Sequence, residues 1–423
     1  MRLASKPSQR GGAALIVVMV LLFSMALVVA YANRSLLFEQ RTSINQYRAT
    51  QAFEAAEAGL EWVQAMLNDP RPIGADCIAA ASGDSLRERW LLFDAARVRH
   101  VPITWNAAGQ PTSLHAACAR TASGWTCSCP ASGHPAIDPA AAAGARTAFI
   151  VHVEPLDQPG MVRVVASGCI GLAGACAPAG AAQSEASSTV EAVFALVPGL
   201  ASLPTAPLTA KGDIDPGSAS IGLHNPAPAA LGIAAHAGGR IVGANARLTT
   251  LPGDSPLHAT VGHDQALAAT SDDHLFTAHF GLDKASWRTQ PAVRRLTCAG
   301  DCSAALGGAV AGLRGRPLVW VDGDLTLAGP LTLGTPTHPL IVVSTGAATL
   351  SGALTVHGVI YAASIVWKDA LPGSALVRGA LISEAGYGGD GAPDVFYDAA
   401  VLHTLRHDSG SFVRLPGSWK DFQ

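Results

Sequence analysis

The sequence predicts an α+β chain: a long N-terminal helix, a small antiparallel-sheet head, and a large C-terminal all-β domain, with a β-solenoid favoured over a sandwich for the last. Three observations predict it. Residues 13–32 form an uncharged apolar run that continues into an amphipathic stretch ending before Asp69-Pro70. Three β-branched runs follow between residues 147 and 197. From Lys211 onward, short apolar pairs alternate with Gly, Asp, Ser and Thr, without helical periodicity. A chain of 423 residues suits about two or three domains. The boundaries fall at 1–12, 13–68, 69–204 and 205–423.

Residues 1–12 are polar and positive, with Arg2, Lys6 and Arg10, and no charge occurs between Gly11 and Asn33. Twenty residues at ~1.5 Å rise span roughly 30 Å, the thickness of a bilayer's hydrocarbon core. The positive flank precedes the span, so residues 1–12 should stay cytoplasmic and the rest face outward. One reading is a secretory signal peptide cut after Ala30-Tyr31-Ala32, although such apolar cores usually span only about 7–15 residues. A second is a plain single-pass anchor. A third is a segment cut on its cytoplasmic side, so that the span survives.

Residues 34–68 hold no Pro and one Gly, and are rich in helix formers. Phe53, Ala56, Leu60, Val63 and Leu67 recur at 3-4-3-4 spacing, an apolar helix stripe, with Glu54, Glu57 and Glu61 off that face. Pro70 disfavours helix at the residue before it. Span and stripe therefore read as one helix of about 55 residues, roughly 80 Å long.

In the middle, Pro70, Pro72 and Gly74 break the helix, and residues 86–98 predict a second, shorter amphipathic helix. Residues 130–144, rich in Ala, Pro and Gly, predict a loop. Strands are expected at 147–153, 161–166 and 188–197, laid antiparallel across the long helix. In the C-terminal half, Val319, Val321, Leu325, Leu327, Leu331 and Leu333 alternate through Gly and Pro turns. Lys211-Gly212-Asp213-Ile214 and Asp322-Gly323-Asp324-Leu325 look like one turn used twice. Short strands with Gly turns suit stacked coils. Residues 393–401 and 415–422 are expected to cap the last coil.

The net charge of −3, with 14% charged residues, offers no basic field for nucleic acid. The eight cysteines are Cys77, Cys118, Cys127, Cys129, Cys169, Cys176, Cys298 and Cys302. An even count behind an export-type N-terminus favours disulfides, with Cys169–Cys176 and Cys298–Cys302 as the favoured local bridges. Cys118 with Cys127 and Cys129 has zinc-ligand chemistry, but disulfides fit an exported chain better. His263, Asp264, Asp272, Asp273, His274 and His279 form the densest acidic–histidine patch, without metal-ligand spacing. Tyr387-Gly388-Gly389-Asp390-Gly391 with Asp394 reads as a Gly-rich turn rather than a Ca²⁺ loop. No G-x-S-x-G, Walker A or dinucleotide fingerprint occurs. No catalytic residue, metal or cofactor is expected.

Arg10-Gly11-Gly12-Ala13-Ala14-Leu15-Ile16 resembles a prepilin cleavage site. Phe38-Glu39-Gln40-Arg41 and the run from Gln46 to Leu60, above all Ala52-Phe53-Glu54-Ala55-Ala56-Glu57-Ala58-Gly59-Leu60, resemble the N-terminal domain of PilX-type minor pilins. The resemblance covers residues 7–68. It implies cleavage by prepilin peptidase after Gly12 and N-methylation of Ala13, with cleavage after Gly11 as the alternative. Major pilins carry a glutamate at the position that is Val17 here. A carboxylate in a bilayer is costly unless it meets a partner, so its absence removes one docking pair and points to a subunit at the filament tip. The resemblance further implies residence in the bacterial inner membrane before assembly, then at the pilus tip or cell surface. The implied partners are other minor pilins, the major pilin and a tip adhesin. The rival functions are a type II secretion pseudopilin and a membrane-anchored envelope adhesin.

Overall fold

The computed structural model describes residues 12–103, 114–129, 147–170, 186–243, 247–311, 313 and 315–421. Gly11, Cys176 and the expected loop at 130–144 lie outside the described residues. The long helix is one uninterrupted element, α1 (Gly12–Asn68), of 57 residues. At ~1.5 Å per residue it is about 85 Å long.

A short helix, α2 (Leu86–Trp90), follows, capped by Ser85 and Glu88, each holding a backbone N–H of the other. The chain then extends into an antiparallel hairpin, β1 (Leu91–Asp94) and β2 (Arg99–Pro102). The helix expected over 86–98 thus stops after five residues. The apolar run Trp90-Leu91-Leu92-Phe93 suits either period, and ladder pairing of Leu92 with Val101 decides it.

The head continues with β3 (His115–Thr121), β4 (Gly124–Ser128), β5 (Thr147–Pro155), β6 (Met161–Ile170) and β7 (Ala186–Pro198). All five pair antiparallel, and α1 lies across β5, β6 and β7. Cys118–Cys127 staples β3 to β4, and Cys77–Cys129 ties the loop after α1 to the end of β4. The three cysteines with zinc-ligand chemistry are therefore all in disulfides. Cys169 is also disulfide-bonded.

The distal half opens with β8 (Leu208–Ala210), β9 (Ile214–Asp215), β10 (Gly222–His224), β11 (Ala235–Ala237), β12 (Arg247–Thr249) and β13 (Thr260–Val261). Helices α3 (Gln265–Ala269), α4 (Asp272–Phe280) and α5 (Lys284–Arg288) follow. Then come β14 (Val293–Leu296), α6 (Ser303–Val310), β15 (Leu318–Val321), β16 (Leu325–Ala328), β17 (Leu331–Leu333), β18 (Leu340–Ser344) and β19 (Ala347–Ser351). The chain closes with β20 (Leu354–Ala362), β21 (Ser364–Lys368), β22 (Leu376–Ser383), β23 (Tyr387–Gly389), β24 (Asp394–Phe396), α7 (Ala399–His407) and β25 (Gly410–Arg414). Cys298 and Cys302 are joined just before α6.

Every strand pair among β8–β24 is parallel. Successive rungs stack with like residues above like: Leu318 on Ile341, Ile341 on Val359, Leu325 on Ala348, Ala348 on Ile365. Inside lie Val319, Val321, Leu325, Leu327, Leu350, Ile360, Ile365 and Trp367. The opposite face of the principal sheet, with Leu318, Trp320, Ile341, Val343 and Tyr361, is covered by Phe276, Phe280, Trp287, Leu402 and Leu405. Burial on both faces explains the unbroken apolar runs of β15 and β18.

The repeated turn has one geometry. In each copy the aspartate carboxylate accepts a backbone N–H from the next rung: Asp213 from Arg240 at 2.7 Å, Asp324 from Ala347 at 2.8 Å. A glycine of that rung, Gly239 or Gly346, sits where a Cβ would fall 2.1 Å from the carboxylate oxygen.

Three expectations are corrected. The distal half does contain helices, five to nine residues long, too short to show a period in sequence. Residues 393–401 do not cap a terminal rung, because β24 pairs with both β22 and β10. The chain enters beside β22, winds out to β13, crosses through α3, α4 and α5 to the far end at β14, and winds back. The described part of 415–422 does not cap the stack either. It lies on the head, where Leu415 N–H reaches Val193 and Lys420 pairs with Glu191.

Candidate membrane and assembly interface

The apolar half of α1 is a free-standing surface. Leu15, Ile16, Val17, Leu22, Phe23, Met25, Val28 and Tyr31 are all more than half exposed. Side chains begin to be covered only near Gln51. Water does not tolerate such a column of large apolar side chains, so it needs lipid or other helices around it. Gly12 and Ala13 stand in the first turn of α1, and Val17 lies one turn further on. From Gly12 no charged residue falls on this stretch before Arg34.

The second half docks. Ala52, Ala55, Ala56, Leu60, Val63 and Leu67 are buried against the head sheet. Four of these six belong to the stripe legible in sequence, whereas Phe53 is only partly covered, edge-on to Trp419 at 6.2 Å. Small residues allow the helix to sit close. On β6, a Cβ at Gly168 would fall 2.0 Å from the Ala52 carbonyl oxygen and 2.5 Å from the Ala56 nitrogen.

The C-terminal strand locks this docking. β25 pairs antiparallel with β7, Pro198 opposite Gly410. Asn68, the last residue of α1, donates from Nδ2 to the Phe412 carbonyl and accepts the Phe412 N–H at Oδ1, both at 2.8 Å. Trp419 donates to Glu57, and Arg414 lies 3.7 Å from both Glu57 and Glu61. Nothing in sequence flagged Asn68, whose partner lies 344 residues away.

Beside β25 a buried carboxylate, Asp408, collects three cationic-type groups: Arg316 at 2.7 Å, His100 at 2.9 Å and Arg87 at 3.4 Å. Arg87 also donates to the carbonyls of Asp408 and Gly410 and stacks on Phe412 at 4.8 Å. Burial pushes Arg87 down to about 10, still charged at neutral pH, with Asp408 opposing the shift. Burial acts to raise Asp408, but the His100 hydrogen bond and the two guanidinium charges hold it below the usual carboxylate range.

The acidic–histidine patch does not converge. Asp264 caps α3 and binds His236 at 2.8 Å, Asp272 pairs with Lys211, and His279 is half-buried near the end of α4, within reach of the His236 charge but of no carboxylate of the patch. Asp394 is held by Arg247 and His224, and Tyr387 lies in the core. Among the described residues no group of three or more His, Cys, Asp or Glu is placed to hold a metal ion.

Residues 10–61 match the family model described as PilX N-terminal. The chain carries a PilX-type pilin N-terminus. That PilX-type segment ends within the docked half of α1, and the match does not extend into the head sheet or the distal stack. No curated protein matches the chain. Among solved structures, the competence-associated pilin ComZ from Thermus thermophilus aligns over 88% of this chain and 97% of its own, at 13% identity and a TM-score of 0.19. A score that low carries no argument about the fold.

Proposed function

We propose that this protein is a minor pilin of a type IV pilus. In this reading residues 1–12 are a leader removed by prepilin peptidase after Gly12, and Ala13 becomes the methylated first residue of the mature chain. The apolar half of α1 holds the subunit in the inner membrane and then packs among the helices of other minor pilins and the major pilin. The subunit primes or caps the filament, at its tip or at the cell surface. The observation that carries this is a PilX-type segment folded as a helix whose exposed half is apolar and whose other half is docked. We divide the mature chain into helix 13–68, head 69–204 and distal domain 205–423, and read the parallel stack as a short β-solenoid displayed outward, with β25 returning to the head. The role is structural, and a tip adhesin is its natural neighbour.

Val17 at the usual glutamate position favours the tip over the shaft, and it also keeps a type II secretion pseudopilin in view. The test is mass spectrometry of the N-terminus of protein purified from its native membrane. A methylated Ala13 start supports the reading, and a Gly12 start moves the cut by one residue. A chain beginning at Met1 or Asn33 refutes it. Immunogold along the whole shaft would refute the tip placement.

A further inference from the structure

The head and the distal stack meet along a seam bordered by histidines. His100 on β2 bonds Asp408 at 2.9 Å. His338 lies 3.2 Å from Glu88 of α2. His403 on α7 faces Phe93 of β1, ring centroids 6.3 Å apart, and stands 4.4 Å from His407, one turn along. A groove of about 480 Å³ runs beside them, lined by Phe93, His100, Arg316, Thr337, Thr404 and Asp408. It gives water and protons a route to the buried His100 ring.

We propose that this seam is an acid-operated latch, closed near neutral pH and opened when His100 and His407 take up protons. The charges that face His100 are Asp408, Arg87 and Arg316, with Glu88 of α2 engaged by His338. Protonating His100 sets a third cation around one carboxylate, with both the ring and the carboxylate almost wholly buried. Facing His407 are His403 and Arg406, so a proton there also meets like charge.

Burial lowers the proton affinity of both His100 and His407 in the closed form; at His100 the Asp408 hydrogen bond opposes this and the Arg87 charge adds to it, and at His407 the neighbouring His403 adds to it. Once the seam opens, both return to the ordinary histidine value of about 6.5. The open form then binds more protons below that value, so acid favours it. Arg87 links the event to β25, because it holds the Gly410 carbonyl and stacks on Phe412.

The test is hydrogen exchange of the full chain in detergent at about pH 7.5 and about pH 5, on either side of the histidine value and corrected for intrinsic exchange rates. The expected result is that β1, β2 and β25 lose at least about tenfold more protection on acidification than β18 and β20 do. His100→Gln, which retains a neutral donor toward Asp408, should remove most of that difference. The double change His403→Gln with His407→Gln should shift the opening to lower pH, and it decides the matter if His100→Gln does not fold at pH 7.5. Seam strands that stay protected at pH 5, or that open only together with β18 and β20, overturn the proposal. So does an unchanged acid response in the variants. None of these outcomes depends on how the N-terminus is processed.

Discussion

Replacing Gly168 by alanine tests a close approach between α1 and the head sheet. The added Cβ would meet backbone atoms, the Ala52 oxygen at 2.0 Å and the Ala56 nitrogen at 2.5 Å, with the Ala55 Cβ at 3.0 Å. No rotamer relieves a clash with backbone, so helix and sheet must separate along a buried face that includes Ala56 and Leu60. Overpacking of this kind costs roughly 1–3 kcal/mol, and the upper end applies where nothing flexible can yield. For a unit of the head's size, about 3 kcal/mol corresponds to a Tm lower by about 6–12 °C. Gly308 on α6 is the control, because a Cβ there meets nothing within 4 Å. Gly308→Ala should be neutral or stabilising by up to about 1 kcal/mol. Thermal melting followed by near-ultraviolet circular dichroism in detergent reads both. A Gly168→Ala protein that melts with the wild type would mean that α1 does not rest on β6 as described.

Asn68→Ala removes two hydrogen bonds and leaves the Phe412 N–H and carbonyl unpaired in the core. A loss of about 2–4 kcal/mol is expected, read as faster hydrogen exchange in β25. Asp408→Asn removes the carboxylate that pairs with both Arg87 and Arg316. It should cost about 3–5 kcal/mol, measured as a lower urea midpoint for the head. His279 is held down to about 4, chiefly by burial. Its folded value lies below the unfolded one of about 6.5, so its contribution is present above that pH and is lost on acidification toward 4, by up to about 3 kcal/mol. Urea midpoints of the distal stack should fall across this window, and less so in His279→Gln.

The helix and the three central strands of the head were legible because each carries its signal locally: an uncharged span, a 3-4-3-4 stripe, β-branched runs between turn residues. The repeated Gly-Asp turn was legible for the same reason, since Asp213 and Asp324 each do one local job on the next rung. What escaped was long-range. Asn68, Arg87, His100 and Asp408 carry no local signal, and they matter only once residues more than 300 positions apart are brought together. The order of the stack escaped as well, because each rung pattern states which face is inward and not which rung lies next. The hairpin at β1 and β2 was misread because four consecutive apolar residues fit both periods.

The pairing of Pro198 with Gly410 has a mechanical meaning. The distal stack hangs from the head by two adjacent strands that leave the sheet at the same end. A pull on the stack along the strands therefore cannot peel one from its neighbour. It drags β7 lengthwise against β6, loading all ten residue pairs of that ladder at once. The bonds of a ladder sheared in this way share the load, whereas bonds that are unzipped fail one at a time. The attachment is thus strongest against a load that pulls the distal stack away from the head along these strands.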